Sequence, residues 1–121
     1  MTNIEDLKKF GIEITEDMKQ GVLICDIYTV WCAPCKFLSP ILEKLKEEGL
    51  IKLIKVDLEQ NRPLGERFGV TAIPTLLFFK NGEMVDGIID IRGQPLVKDG
   101  IMVGAPGEPD IREIISKVKD N

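Results

Sequence analysis

Cys32 and Cys35 stand three residues apart in Trp31-Cys32-Ala33-Pro34-Cys35-Lys36, just after an apolar run and at the start of a helical pattern. That spacing lets two sulfurs meet across a single turn, which suits reversible disulfide exchange. A helix start also sets unpaired backbone N–H groups and a positive dipole end beside the first sulfur, favouring thiolate over thiol. The thiolate is the attacking species, so Cys32 is the candidate nucleophile. Cys35, one turn further in and more shielded, is the candidate resolving thiol that closes the internal disulfide and frees the product.

Other uses of paired cysteines fit less well. A structural zinc site needs two more soft ligands, but the chain has only Cys25 besides and no histidine. A structural disulfide belongs to cysteine-dense secreted domains, and this chain lacks that density. Unrelated buried cysteines would not require tryptophan before, proline between and lysine after. With 121 residues and 44% hydrophobic content, the chain reads as one domain over 1–121 with a proper core. A net charge of −4 and no Lys or Arg cluster give no face for nucleic acid. The N-terminal stretch Met1–Phe10 alternates charged and apolar residues and offers no signal or transit pattern. Apolar runs of about five residues are far too short for a membrane span. The chain therefore reads as cytoplasmic, or as a mature form whose signal was removed. In a reducing cytosol the dithiol would rest reduced and donate electrons. No cofactor or metal is expected, and the expected state is a monomer.

The elements that must position this pair can be read from periodicity. Thr2 with Glu5 forms a capping box for a short helix toward Phe10. Val22–Tyr28 is a nearly continuous apolar run, as expected of a strand covered on both faces. Phe37, Leu38, Ile41, Leu42 and Leu45 then form one helical stripe, with Pro40 expected to bend the helix. Ile51–Asp57 is a second strand, and the helix between the two makes a parallel βαβ unit. A helical piece near Leu64–Phe68 precedes a strand over Thr75–Phe79. Asn81-Gly82 signals a hairpin into an antiparallel strand near Met84–Ile91. Ile111, Ile114, Ile115 and Val118 mark a terminal amphipathic helix. The expected architecture is a three-layer α/β domain, a central mixed sheet with helices on both faces, and the Cys pair lies at a strand C-terminus.

Several segments in order resemble the thioredoxin family. They are Asp26 six residues before Cys32, the Trp31–Lys36 segment, Lys55 and Asp57 on the next strand, Ile73-Pro74-Thr75, and Phe79–Glu83. The resemblance implies a thioredoxin fold and protein-disulfide reductase activity toward disulfide-containing client proteins, recharged by a thioredoxin reductase. It implies that Pro74 is cis and packed against the dithiol, where the preceding residue could offer main-chain hydrogen bonds to an extended substrate; without it, a trans proline starting a strand is the commoner case. It places Asp26 beneath the sulfurs with Lys55 nearby, where a raised-pKa carboxyl could take the Cys35 proton. Read alone, a single polar residue such as Asp26 in a strand is usually an edge-facing residue at a strand end. Trp31 reads as core by type, but before a catalytic cysteine it reads as a wall of the substrate groove, with Ala33, Pro34, Ile73 and Pro74. Cys25 points away from Asp26 by strand alternation and reads as a buried, inert thiol, a third redox thiol being the alternative.

The departures from the family pattern also carry meaning. Ala33 replaces the usual glycine between the cysteines, and Tyr28 stands where a second tryptophan is usual. The region Val85–Gly100 is longer than the family's compact form. Either Met84–Ile91 is the usual strand with a hairpin added after it, or Ile101–Gly104 is the usual strand with the preceding hairpin extended. The second arrangement is favoured and would set Gly104 against Pro74. The added hairpin, broken at Gly93-Gln94-Pro95, either covers a sheet edge or contacts a partner. Competing functions are an oxidase or isomerase of an oxidising compartment, and a non-catalytic adaptor; intact Cys32, Cys35, Asp26 and Pro74 speak against the adaptor.

Overall fold

A computed structural model describes residues 2–120. Its order is β1 (Val22–Tyr28), α1 (Ala33–Glu47), β2 (Lys52–Asp57), α2 (Arg62–Arg67), β3 (Thr75–Lys80), β4 (Glu83–Met84), β5 (Ile88–Ile91), β6 (Gln94–Lys98), β7 (Ile101–Val103) and α3 (Glu108–Asp120), with short 3-10 segments at Ile4–Phe10, Glu16–Lys19 and Leu58–Gln60. The sheet runs β2-β1-β3-β7-β6-β5, and β4 pairs with β3 beside β7. β1 and β2 are parallel across α1, and the remaining pairings are antiparallel.

Alternation along β1 and β3 divides the core in two. Val22, Ile24, Leu76 and Phe78 pack with Leu38, Leu42 and Leu45 of α1 and with Ile111, Ile114, Ile115 and Val118 of α3. Leu23, Cys25, Ile27, Leu77 and Phe79 face the other way, onto Ile4, Leu7, Leu64 and Phe68. This is the three-layer arrangement, and it sends Asp26 toward α1 and Cys25 away from it. The apolar stripe of α1 is narrower than the sequence suggested. Phe37 is 58% exposed, because it is turned off the Leu38–Leu42–Leu45 line. α1 continues through Pro40 and closes after Glu48 with left-handed Gly49.

The N-terminal segment departs from expectation. Its capping box is Asn3 with Asp6, not Thr2 with Glu5, and the turn it starts is 3-10 rather than α. Thr2 is engaged in strand-like pairing instead: its carbonyl accepts the Met84 N–H at 2.9 Å. No helix among the described residues is long and apolar enough to cross a membrane.

The longer region resolves in favour of Ile101–Val103 as the strand beside β3, in the register Thr75–Val103, Leu76–Met102 and Leu77–Ile101. The run read as one strand over Met84–Ile91 is broken. β4 pairs with the far end of β3, the chain turns at left-handed Gly87, and β5 begins on the outer side of the sheet. Asp99 fixes that crossing, accepting the Gly87 N–H on its carboxylate at 3.0 Å and donating its own N–H to the Gly87 carbonyl at 2.8 Å. Asn81-Gly82, Arg92-Gly93 and Asp99-Gly100 each hold two consecutive left-handed residues, the tight hairpin geometry that matches strand twist.

The added β5–β6 hairpin is part of the core. Ile89, Ile91 and Val97 are buried in the α3-side cluster. Arg92 at its tip pairs with Asp110 of α3, and Lys117 donates to the Asp90 carbonyl at 2.7 Å. Lys117 thereby occupies a main-chain acceptor on the edge strand, which blunts edge-to-edge pairing. Ile91 is 2% exposed. Ile91→Ala is expected to lower the unfolding free energy by about 2–5 kcal/mol, measured by urea denaturation. The hairpin lies apart from the cysteines, so disulfide reduction by the folded variant should stay close to the parent's. A loss below roughly 1 kcal/mol would mean that the hairpin is a loosely attached flap.

Candidate active site

Cys32 is the N-cap of α1, in extended backbone, and Pro34 occupies the first turn. Cys32 and Cys35 are joined as a disulfide with their Cα atoms 5.3 Å apart. The Cys32 sulfur also accepts the Cys35 backbone N–H at 3.2 Å. Both cysteines are 4% exposed, so shielding does not separate them as the sequence reading expected. What separates them is electrostatic. Cys32 Sγ is the atom that receives the helix-end N–H, the arrangement that stabilises negative charge on a capping atom. Ala33, Pro34 and Lys36 around them are exposed.

Asp26 is 1% exposed, and its Oδ1 has no hydrogen-bond partner. It shares a cavity of about 200 Å³ with Cys35, Lys36, Ser39 and Lys55; Tyr28, Thr29 and Val30 complete the lining. Burial pushes the Asp26 carboxyl up to about 6, against the downward pull of the Lys55 charge. Lys55 stands opposite Asp26 in the β1–β2 ladder. Its ammonium, however, donates to Ser39 Oγ at 2.7 Å and lies 5.4 Å from the centroid of the Tyr28 ring. Cys35 thus shares a cavity with the carboxyl and the ammonium. Cys25 does not: it is fully buried on the opposite face, where burial and then the Asp26 charge push its thiol up to about 12.

Trp31 is 66% exposed, which rules out the core reading for this ring. Its Nε1 donates to Glu59 Oε1 at 3.2 Å. Trp31 lines a second cavity of about 250 Å³ with Thr29, Leu58, Glu59, Arg62, Val70, Thr71, Ala72 and Ile73. The Ile73–Pro74 peptide bond is cis, and the Pro74 carbonyl accepts the Gly104 N–H at 2.9 Å. Gly104 has φ 108 with open space around it, so β7 ends against Pro74 with no side chain between them. Pro74 is buried and Ile73 half-buried. Sequence reading missed Ser39, Glu59 and Thr29. Ser39 carries a signal, since it lies four residues after Cys35 and therefore on the same helix face. Glu59 depends on long-range placement, and Thr29, though only three residues before Cys32, carries no periodic mark.

The thioredoxin family model matches residues 3–101. The chain is 33% identical over 85 residues to a thioredoxin of Bacillus subtilis (strain 168), covering 69% of this chain and 82% of that one. It is 40% identical over 73 residues to a thioredoxin of Chlamydia caviae, covering 60% and 72%. Among solved structures, the thioredoxin of Fasciola hepatica superposes with a TM-score of 0.64 at 30% identity, covering 93% of this chain and 91% of that one. A mutant thioredoxin from Halobacterium salinarum NRC-1 reaches a TM-score of 0.67 at 28% identity, covering 86% and 80%. With a matched segment that runs through the Cys32–Cys35 pair, the cis Pro74 and the Asp26 strand, this chain belongs to the thioredoxin family.

Proposed function

We propose that this protein reduces disulfides in client proteins through a two-step exchange in which Cys32 attacks and Cys35 resolves. The Cys32 thiolate attacks one client sulfur, forms a mixed disulfide and releases the other client sulfur as thiolate. Cys35 then gives its proton to the Asp26 carboxylate and attacks Cys32 Sγ. The Cys32–Cys35 bond forms, the mixed disulfide breaks, and the second client thiolate leaves. Two electrons pass from the dithiol to the client, and a thioredoxin reductase returns them. The observation that carries this reading is the cavity shared by Asp26 and Cys35, beside a Cys32 sulfur that caps the helix.

Trp31, Ala33, Pro34, Ile73 and Pro74 form the client groove in this reading, and Gly104 leaves its floor open. Exposed apolar surface and main-chain donors suit many clients rather than one. The acting unit is a monomer of one domain, working in the cytoplasm and needing no cofactor. The test is the midpoint potential of the Cys32–Cys35 couple in a glutathione redox buffer. A couple more reducing than glutathione is the expected result, because only such a couple donates electrons in a reducing compartment. A potential well on the oxidising side would make the protein an oxidant or isomerase instead.

A further inference from the structure

We propose that Ser39 is a positioning residue for the resolving step, its hydroxyl holding the Lys55 ammonium at the rim of the cavity that Asp26 shares with Cys35. The inference rests on the general-base reading of Asp26 above and extends it to a side chain outside the family-type motif. Ser39 follows Cys35 by one turn of α1, so both side chains face the sheet at Asp26. Lys55 comes from β2, directly opposite Asp26 in the ladder, and its Nζ donates to Ser39 Oγ at 2.7 Å. The face of the Tyr28 ring, 5.4 Å away, gives the ammonium a second contact.

A lysine head on a four-carbon stem with access to solvent prefers water. It stays near a buried carboxyl only where something tethers it. Lys55 acts on Asp26 through its charge and not through a hydrogen bond, so the carboxyl itself is not the tether. The Ser39 hydroxyl oxygen is the group that accepts the hydrogen bond from the Lys55 ammonium. The other groups around Asp26 do not duplicate this effect. Lys36 on α1 lines the cavity but is exposed, Tyr28 and Cys35 line it without supplying a cation, Leu76 is its partner from β3, and Cys25 lies on the opposite face. Removing the tether therefore lets the cation drift into water, and the carboxyl keeps its proton to higher pH.

The test follows the Asp26 carboxyl by carbon-13 NMR and, in parallel, the pH profile of mixed-disulfide resolution by stopped flow. In the parent, the resolution profile must follow the Asp26 titration; a mismatch overturns the general-base reading and this inference with it. Given that match, Ser39→Ala should raise the Asp26 midpoint by roughly half a pH unit. Resolution at a pH below the midpoint should then be about threefold slower, and above pH 9 unchanged, where the carboxylate is fully ionised. Ser39→Thr keeps the hydroxyl and should restore the parent midpoint. In a Lys55→Met background, Ser39→Ala should move the midpoint no further. An unmoved midpoint in Ser39→Ala, or the same shift with and without Lys55, would show that Ser39 is only a solvated helix residue.

Discussion

Cys32→Ser should reduce dithiothreitol-coupled reduction of insulin to the uncatalysed background, while Cys35→Ser should accumulate stable mixed disulfides. The two effects differ because each sulfur has its own place in the exchange. Cys32 Sγ caps α1 and accepts a backbone N–H, so it is the sulfur whose thiolate the fold supports. Without it no mixed disulfide forms. Without Cys35 the mixed disulfide forms but has no internal thiol to break it. Cys25 cannot take over either role. With its thiol pushed up to about 12, only roughly one part in 10⁵ is thiolate at pH 7, and no solvent reaches it. Peptide mapping of the trapped Cys35→Ser adduct should find the client attached at Cys32. An adduct at Cys25 would invert the assignment.

The parts of this molecule that were legible in its sequence are those whose signal is local burial. Val22–Tyr28 is recovered with its observed ends, because a strand covered on both faces is apolar at nearly every position. α3 is recovered from the spacing of Ile111, Ile114, Ile115 and Val118, all buried against the sheet. Periodicity reports that a residue is covered, but not by what. Met84 and Ile89 are both apolar, so one strand seemed sufficient; a left-handed Gly87, locked by Asp99 from twelve residues away, sends them to different parts of the sheet. The reading of Ile101–Gly104 as the usual strand carried with it Gly104 facing Pro74; the strand ends one residue earlier, at Val103, and that contact is present. At the candidate site, the cysteine pair was marked by its own spacing, whereas Asp26 and Pro74 were singled out by the family resemblance more than by their own residue types. Ser39 and Glu59 are ordinary surface residue types, and only the fold brings them to Lys55 and Trp31.

Asp26→Ala should yield a protein that is more stable and slower. Burial raises the Asp26 carboxyl from its ordinary 3.8 to about 6. The folded chain therefore holds this proton more tightly than the unfolded chain does. The sign follows directly: the group is harmless below pH 3.8, becomes destabilising as pH rises, and exerts its full penalty above about 6. The penalty at neutral pH is about 3 kcal/mol, the free energy of a shift of this size. For a chain of this length, relieving it should raise the melting temperature by roughly 10 °C at pH 8 and by far less at pH 4. Asp26→Asn should show the same pH dependence, since it too removes the charge. The kinetic effect runs the other way. Without a carboxylate in the Cys35 cavity, resolution of the mixed disulfide should slow by roughly 10²-fold or more near neutral pH, the contribution typical of a positioned general base. It should recover as the solution becomes alkaline enough to ionise Cys35 unaided. Initial attack by Cys32, followed as formation of the mixed disulfide, should change little. A gain in melting temperature over the parent that is no larger at pH 8 than at pH 4 would show that Asp26 is solvated in the folded chain. Unchanged resolution at pH 7 would mean that Cys35 gives its proton to another acceptor.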